Sequence, residues 1–460
     1  MTTLALRSLR HRPTTVVATL VAVLLGTALM ASFATLVESA FDAHDDDREI
    51  LMIIGGVVGG WGTLIVLFAV ASTVGIVAEQ RAGEAALLRT IGATPRQARA
   101  LIVIEAAVVA LVAAAGGALI ASLGGVALFD ALQRATIVTR ATDYDGGPAS
   151  LLTTAGVVVL VSTVAAMLGS RRATRGPAGI ALRAAEVPGR RLRGWRALAG
   201  AVLVAGGLAS AIVTVTITGK STDPYAAMQT SGSAAVVTGV GLATLAPWLL
   251  RLLATPLRPL LGRTGAGYLA AENLTRRAHL LAGLLAPVIV LVSTAVGTLL
   301  MVGVDARTRA AIGDPEGVGD MITMLNCVVV GVISLFAAIM VVNSAVAVVA
   351  HRRHELDRIW RVGATRAQLR GSIALEAGVV ATIGVVIGLL GSTATAVPYS
   401  VVRHEGVVPN GQLWLPPLMA TIALVLTVGA AWAAQRRSGP PADAAGRRRA
   451  TRGPLVAVAR

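Results

Sequence analysis

Only a handful of side chains in this sequence have the type and spacing that chemistry could use, and each pattern stops short of a working motif. Gly219-Lys220-Ser221 ends like a phosphate-binding loop, but that loop needs a glycine five residues earlier, where Thr214 stands. His351-Arg352-Arg353-His354-Glu355 crowds two histidines and a carboxylate together. A zinc protease needs the order H-E-x-x-H or H-x-x-E-H, so this stretch reads as a solvated basic face. His44 with Asp42, Asp45, Asp46 and Asp47 lacks the ligand spacing and turn glycine of a calcium loop and reads as a solvated acidic loop. No Ser-His-Asp set, carboxylate pair or Cys-His set falls within an apolar stretch, and the single cysteine, Cys327, excludes an internal disulfide. The sequence therefore offers no catalytic residues, no metal ligands and no cofactor site of its own.

Two carboxylates carry more weight. Glu105 and Glu376 each sit about one turn inside a long apolar stretch, where an ionisable group is costly and often functional. Each closes one copy of a repeated polar device. Residues 81–106, RAGEAALLRTIGATPRQARALIVIEA, return 271 positions later at 352–377 as RRHELDRIWRVGATRAQLRGSIALEA. Ten of the 26 positions are identical: Arg81/Arg352, Glu84/Glu355, Gly92/Gly363, Ala93/Ala364, Thr94/Thr365, Gln97/Gln368, Arg99/Arg370, Ile102/Ile373, Glu105/Glu376 and Ala106/Ala377. The glutamates read as structural ion-pair partners of Arg99 and Arg370, or of a basic residue at the end of the preceding apolar stretch, ahead of a proton relay.

The elements that position these residues follow from local rules. Leu87, Leu88 and Ile91 recur at helical spacing, as do Leu356, Ile359 and Trp360, so each device opens with a short amphipathic helix. Gly92 and Gly363 suit the left-handed residue that ends a helix. Thr94 and Thr365 then cap the next helix, with Gln97 and Gln368 completing a capping box and Pro95 at the first helical position.

Around the devices the chain is apolar: 55% hydrophobic and 14% charged, against about a quarter charged in a soluble domain. Ten runs approach or exceed the roughly 20 residues that span a bilayer: 14–37, 51–78, 101–129, 151–169, 197–217, 233–253, 280–304, 321–350, 373–397 and 414–434. The first is too long for a signal-peptide core and reads as an uncleaved span. With the N-terminus inside, 33 of the 40 basic residues fall on inner segments and seven on outer loops, which orients the chain with both termini cytoplasmic. The net charge of +16 then marks the cytoplasmic face and its contact with membrane lipids, and needs no nucleic acid. One lysine among 40 basic residues points to a GC-rich bacterial genome and hence a bacterial plasma membrane.

The expected fold is an all-α integral membrane protein of ten transmembrane helices. Two parallel four-helix repeats (1–190 and 263–437) flank a central two-helix hairpin (191–262), and a basic cytoplasmic tail (438–460) follows. Residues 4–12 and 268–277 read as interfacial helices, and the Pro/Gly/Arg-rich linkers 171–194 and 251–265 as irregular cytoplasmic connections. Outer loops are too short to fold as domains. The second span, about 42 Å long, must tilt or project as a stalk. Small-xxx-small pairs Gly55/Gly59, Gly56/Gly60 and Gly384/Gly388 invite close helix packing.

The R-x-x-E…G-A-T-x-x-Q-x-R…E-A pattern between two spans resembles the FtsX-like permease domain of ABC transporters, the superfamily of MacB, LolC/LolE and BceB. The likeness covers about 53–172 and 323–437, and the ten-span layout is most similar to the BceB type. The resemblance implies a permease subunit with no ATPase of its own, paired with a separate ABC ATPase dimer that carries ATP and Mg. That dimer would grip the coupling helices at Arg81, Glu84, Leu87, Leu88, Ile91 and Gly92, and at Arg352, Glu355, Leu356, Ile359, Trp360 and Gly363. It further implies export or extraction of a lipophilic, peptide or antibiotic-like substrate. The large extracellular domain of MacB-like and BceB-like members is missing. A signalling scaffold acting on an outer cell-wall hydrolase is the second reading, though it calls for one four-span unit and a folded outer domain. A membrane-embedded enzyme or ion-coupled carrier would need polar groups deep in the spans.

Overall fold

The computed structural model describes residues 13–134, 137–173, 194–221, 226–312 and 361–437, with scattered positions between 331 and 359. These residues build helices and no strand, as hydrocarbon requires: a helix satisfies every backbone N–H and C=O within itself. The first repeat comprises α1 (Pro13–Ser39), α2 (Asp45–Met52), a π-helical turn (Ile53–Val58), α3 (Gly59–Gln80), α4 (Ala82–Thr90), α5 (Pro95–Arg134) and α6 (Pro148–Ala173). The hairpin is α7 (Gly194–Thr216) and α8 (Ala226–Thr244), continued by α9 (Ala246–Ala254) and α10 (Arg258–Leu261). The second repeat holds α11 (Gly265–Arg276), α12 (Ala278–Ile312), α13 (Arg366–Val402) and α14 (Leu415–Arg437).

Seven of the described helices are long and apolar enough to cross a membrane: α1, α5, α6, α7, α12, α13 and α14. The sixth expected span is α8 with α9, and the pair bends by 71° at the break before Ala246. The second expected span opens through the π-helical turn and continues as the 22 residues of α3. Of the eighth, 321–350, twelve scattered positions from 331 to 349 are described, and segments 4–12, 174–193 and 438–460 lie outside the described residues.

The same crossing is built twice. α5 packs along α1 in the first repeat, and α13 packs along α12 in the second. At Gly117 an added Cβ would come within 2.5 Å of the Leu24 carbonyl oxygen and 2.7 Å of Thr27 Cβ. At Gly388, 271 positions on, it would meet Val292 Cβ at 2.7 Å and the Ile289 oxygen at 3.1 Å. Gly55 and Gly59 likewise press on Val37 and Phe33 of α1, while Gly56 and Gly60 face open space. A Cβ at Gly384 would meet Val288 at 2.7 Å, so two of the three glycine pairs are in contact.

The hairpin belongs to the second repeat. Thr395 of α13 reaches the backbone of α8: its hydroxyl accepts from the Ala235 N–H (2.9 Å) and donates to the Ser231 carbonyl (2.5 Å). Ser231 Oγ donates to the Thr395 carbonyl at 3.0 Å and Ser293 Oγ to the Ala235 carbonyl at 2.8 Å. The first repeat meets this body mainly through α3, which touches α8 and α12.

Two expectations are corrected. The linker 251–265 is not irregular, because Pro256 and Pro259 each stand in the first turn of a short helix, where a missing N–H costs nothing. The Asp45–Asp47 cluster is not a solvated loop, because it opens α2. Asp47 is only 3% exposed and accepts hydrogen bonds from the Thr139 N–H (3.1 Å), the Thr139 hydroxyl (2.5 Å) and the Thr142 hydroxyl. Near it, Glu38 accepts from the Ser150 N–H at 2.9 Å, and Phe129 meets Tyr144 edge to face at 5.5 Å.

The corresponding end of the second repeat is closed by ions. Asp305, fully buried, accepts from Tyr399 Oη (2.6 Å), Arg403 Nη2 (3.0 Å) and Arg309. Arg307 grips Glu405 through two bonds, of 3.0 and 2.9 Å, and Glu405 also accepts from the Asn410 N–H at 3.0 Å. These bonds, with Arg307 foremost, hold the Glu405 carboxyl below its usual range. At Asp47 burial pushes the pKa up, but the Thr139 and Thr142 hydrogen bonds outweigh it and the net direction is down. Asp145, exposed and hydrogen-bonded to the like-charged Asp42, moves up instead.

Gly388→Ala is expected to destabilise by about 1–3 kcal/mol through overpacking. Gly378→Ala, in the same helix with nothing within 4 Å, should be neutral or stabilising by about 0.5–1 kcal/mol. Melting followed by helical circular dichroism in detergent checks both, and equal effects would remove close packing as the role of Gly388. A carboxyl held low contributes stability that is present above its unfolded pKa, about 4, and lost as pH falls through the lower folded value. Melting temperature should therefore drop on acidification below about pH 4, and less steeply in Asp47→Asn and Glu405→Gln. Parallel curves for wild type and both variants would contradict the assignment.

Candidate coupling site

At the opposite end of the bundle the two polar devices take the same form. α4 ends in a Schellman turn: the Ala93 N–H donates to the Leu88 carbonyl (3.0 Å) and the Gly92 N–H to the Arg89 carbonyl (3.3 Å). Gly92 has φ +105°, which a side chain would strain. In the second copy Gly363 has φ +114° and the Ala364 N–H donates to the Ile359 carbonyl at 3.3 Å. The restarts also match. The Thr94 N–H donates to Gln97 Oε1 at 2.9 Å and the Gln97 N–H to Thr94 Oγ1 at 3.2 Å. Thr365 and Gln368 make the same reciprocal bonds at the same two distances.

α4 is held by small residues. Ala85 and Ala86 are buried, and Ala85 clusters with Ala78, Ala98 and Ile102. That packing turns Leu87 and Ile91 outward, 61% and 77% exposed, and leaves Glu84 and Leu88 half-buried. Leu88 thus helps seat the helix more than it offers a free surface. In the second copy Val362 is 90% exposed. Helical spacing alone picked Leu356, Ile359 and Trp360 for that face and passed over Val362, although the 271-residue offset pairs it with Ile91. Ile359 is half-buried, and Arg352, Glu355, Leu356 and Trp360 lie outside the described residues.

Behind each device stands its glutamate. Glu105, 1% exposed on α5, forms an ion pair with Arg81, the residue that joins α3 to α4. Burial makes the pair strongly interdependent, because either charge alone would be stranded in a low-dielectric setting. Glu376 is 2% exposed, accepts from Asn273 Nδ2 of α11 at 2.7 Å and lies 3.4 Å from Ser372 Oγ. Each glutamate lines a small cleft. Val74, Val77, Ala78 and Ile102 join Glu105 around about 30 Å³, and Ala345, Val348, Val349 and Ile373 join Glu376 around about 20 Å³, every pair 271 apart. Such volumes admit a water molecule and no substrate.

Among the described residues no cluster of metal-ligating side chains occurs. Thr218–Lys220 form a single 3₁₀ turn after α7, where Gly219 packs against Val402. His351 and His354 lie outside the described residues.

A family model described as FtsX-like permease C-terminal matches residues 56–178 and 327–439, just over half of the chain. The two matched segments start 271 positions apart, the offset of the repeat. A search of curated proteins found no match.

Arg81→Ala and Glu105→Ala should each destabilise strongly, by about 3–5 kcal/mol, since each strands a buried charge. Arg81→Ala combined with Glu105→Ala should cost much less than the sum of the two. Melting temperatures of the four-member cycle decide it, and additive losses would mean the two side chains act independently.

Proposed function

The chain belongs to the FtsX-like permease family, and on that premise we propose that it is the membrane subunit of an ATP-binding cassette transporter. Members of this family are membrane components without ATPase activity of their own. ATP and Mg are accordingly assigned to a partner ATPase dimer, with one permease chain per dimer. The observation that carries this reading is the paired device: two glycine-stopped, threonine-capped turns, each presenting an exposed aliphatic residue, Ile91 or Val362, beside a buried glutamate. Two such turns suit the two halves of an ATPase dimer.

The ten-span layout is part of the proposal, with repeats 1–190 and 263–437, hairpin 191–262 and tail 438–460. The device end faces the cytoplasm, supported by the bias of basic residues. ATPase closure pushes on α4, and Arg81 passes the push to α5 through Glu105. α5 is 40 residues long, about 60 Å of rigid helix, and carries the motion to the far end. The hairpin moves with α12 and α13 because Thr395 and Ser293 tie them together. A lipophilic, peptide or antibiotic-like substrate then enters sideways from the bilayer between α3 and the α8–α12 face, for export or extraction.

Leu87→Asp and Ile91→Asp should each reduce co-purification of the ATPase at least tenfold, because burying one such side chain is worth about 1.5–3 kcal/mol and each decade is about 1.4 kcal/mol. Val362→Asp should do the same at the second site. Unchanged ATPase yield in all three would reject the coupling assignment. Intact binding with hydrolysis insensitive to every lipid and peptide tried in nanodiscs would favour the signalling scaffold.

A further inference from the structure

Where α8 leaves the bundle the chain turns through 71° into α9 and α10. α9, nine residues long, is too short to span a bilayer and has two unlike sides. Ala246, Pro247, Leu250 and Ala254 are buried, and α9 packs on α11 and α12, so the bundle sets its orientation. Its other side shows Trp248 and Leu252, one turn apart and 52% and 54% exposed, and Leu260 beyond them is 60% exposed. Arg258 and Arg263 are exposed beside this strip. Arg258 bonds Glu272 of α11 at 2.7 Å, which fastens the segment to the second repeat.

Large apolar side chains exposed next to arginines, on a short helix continuous with a span, match the layer where hydrocarbon meets headgroups. Tryptophan concentrates in that layer, and an arginine near an anionic leaflet contributes about 1 kcal/mol. We propose that α9 and α10 form an elbow embedded in the leaflet at the device end, with Trp248, Leu252 and Leu260 among the upper acyl chains and Arg263 facing anionic headgroups. α11, which packs on this elbow, also supplies Asn273 to Glu376. Leaflet composition thus reaches the second device through two helices. The proposal rests on the membrane reading alone; which leaflet is involved rests on the orientation proposed above.

The test places single cysteines at Leu252 and Leu260 of the full chain, in a Cys327→Ser background, and attaches nitroxide labels. Vesicles contain phosphatidylcholine alone or with added phosphatidylglycerol. Power saturation compares relaxation by oxygen, which partitions into lipid, with a water-soluble nickel chelate. Labels at Leu119, on the exposed face of α5, and at exposed Arg96 give the lipid and water references. Both elbow labels should favour oxygen, read shallower than Leu119, and move deeper when phosphatidylglycerol is present. Preference for the nickel chelate would place the elbow in water, and exclusion of both agents would mean protein covers it; either overturns the proposal. Identical depth in the two lipids would overturn the anionic preference. Depth is independent of which face of the membrane is cytoplasmic, so an error in orientation would leave this result unchanged.

Discussion

A carboxylate buried among apolar helices must be neutralised where it stands, and at Glu105 the neutralising group is Arg81. That pair determines what the first repeat can do. Arg81 is the joint between the stalk helix α3 and the short helix α4, so the ion pair fastens both to α5. Without it, α4 would hang from a chain turn and a patch of alanines. With it, α4 is fixed to a 40-residue helix against which α1 packs closely at Gly117.

The two repeats use the same parts at the device end and different parts at the other. Glycine stop, capping box, buried glutamate and water-sized cleft recur in both copies. At the far end the first repeat relies on Asp47 held by threonines and an aromatic edge contact, the second on Asp305 with Tyr399, Arg403 and Arg309. The hairpin adds a further difference, since buried hydroxyls bond it to α12 and α13. Duplication thus yields like turns at one end of the bundle and unlike packing at the other.

Local interactions were legible in the sequence because their partners lie within one turn. Gly92, Thr94 and Gln97 define a helix end and a helix start from residues two and three apart, and the recurrence at Gly363, Thr365 and Gln368 identified the device without any tertiary information. Long apolar runs located the helices because hydrocarbon leaves a backbone no other way to satisfy itself. Pro256 and Pro259 misled the reading, since a proline breaks a helix interior but suits a first turn, and composition does not distinguish the two positions.

What only the tertiary structure decided were the interactions between residues far apart in the chain. Glu105 chose Arg81, 24 residues away, over the adjacent-turn candidate Arg99, because packing of α4 brings the α3–α4 joint onto α5. Asp47 went from a presumed solvated loop to a buried acceptor because Thr139 and Thr142, more than ninety residues on, fold over it. Which of Leu87, Leu88 and Ile91 face outward depended on where the alanines of α4 found their seat. The sequence by itself determined the device, its duplication and the membrane class, since each rests on short-range geometry or bulk hydrophobicity. The partners of buried Glu105 and Asp47 waited for packing, because a charge in a low-dielectric interior is satisfied by what lies near it in space.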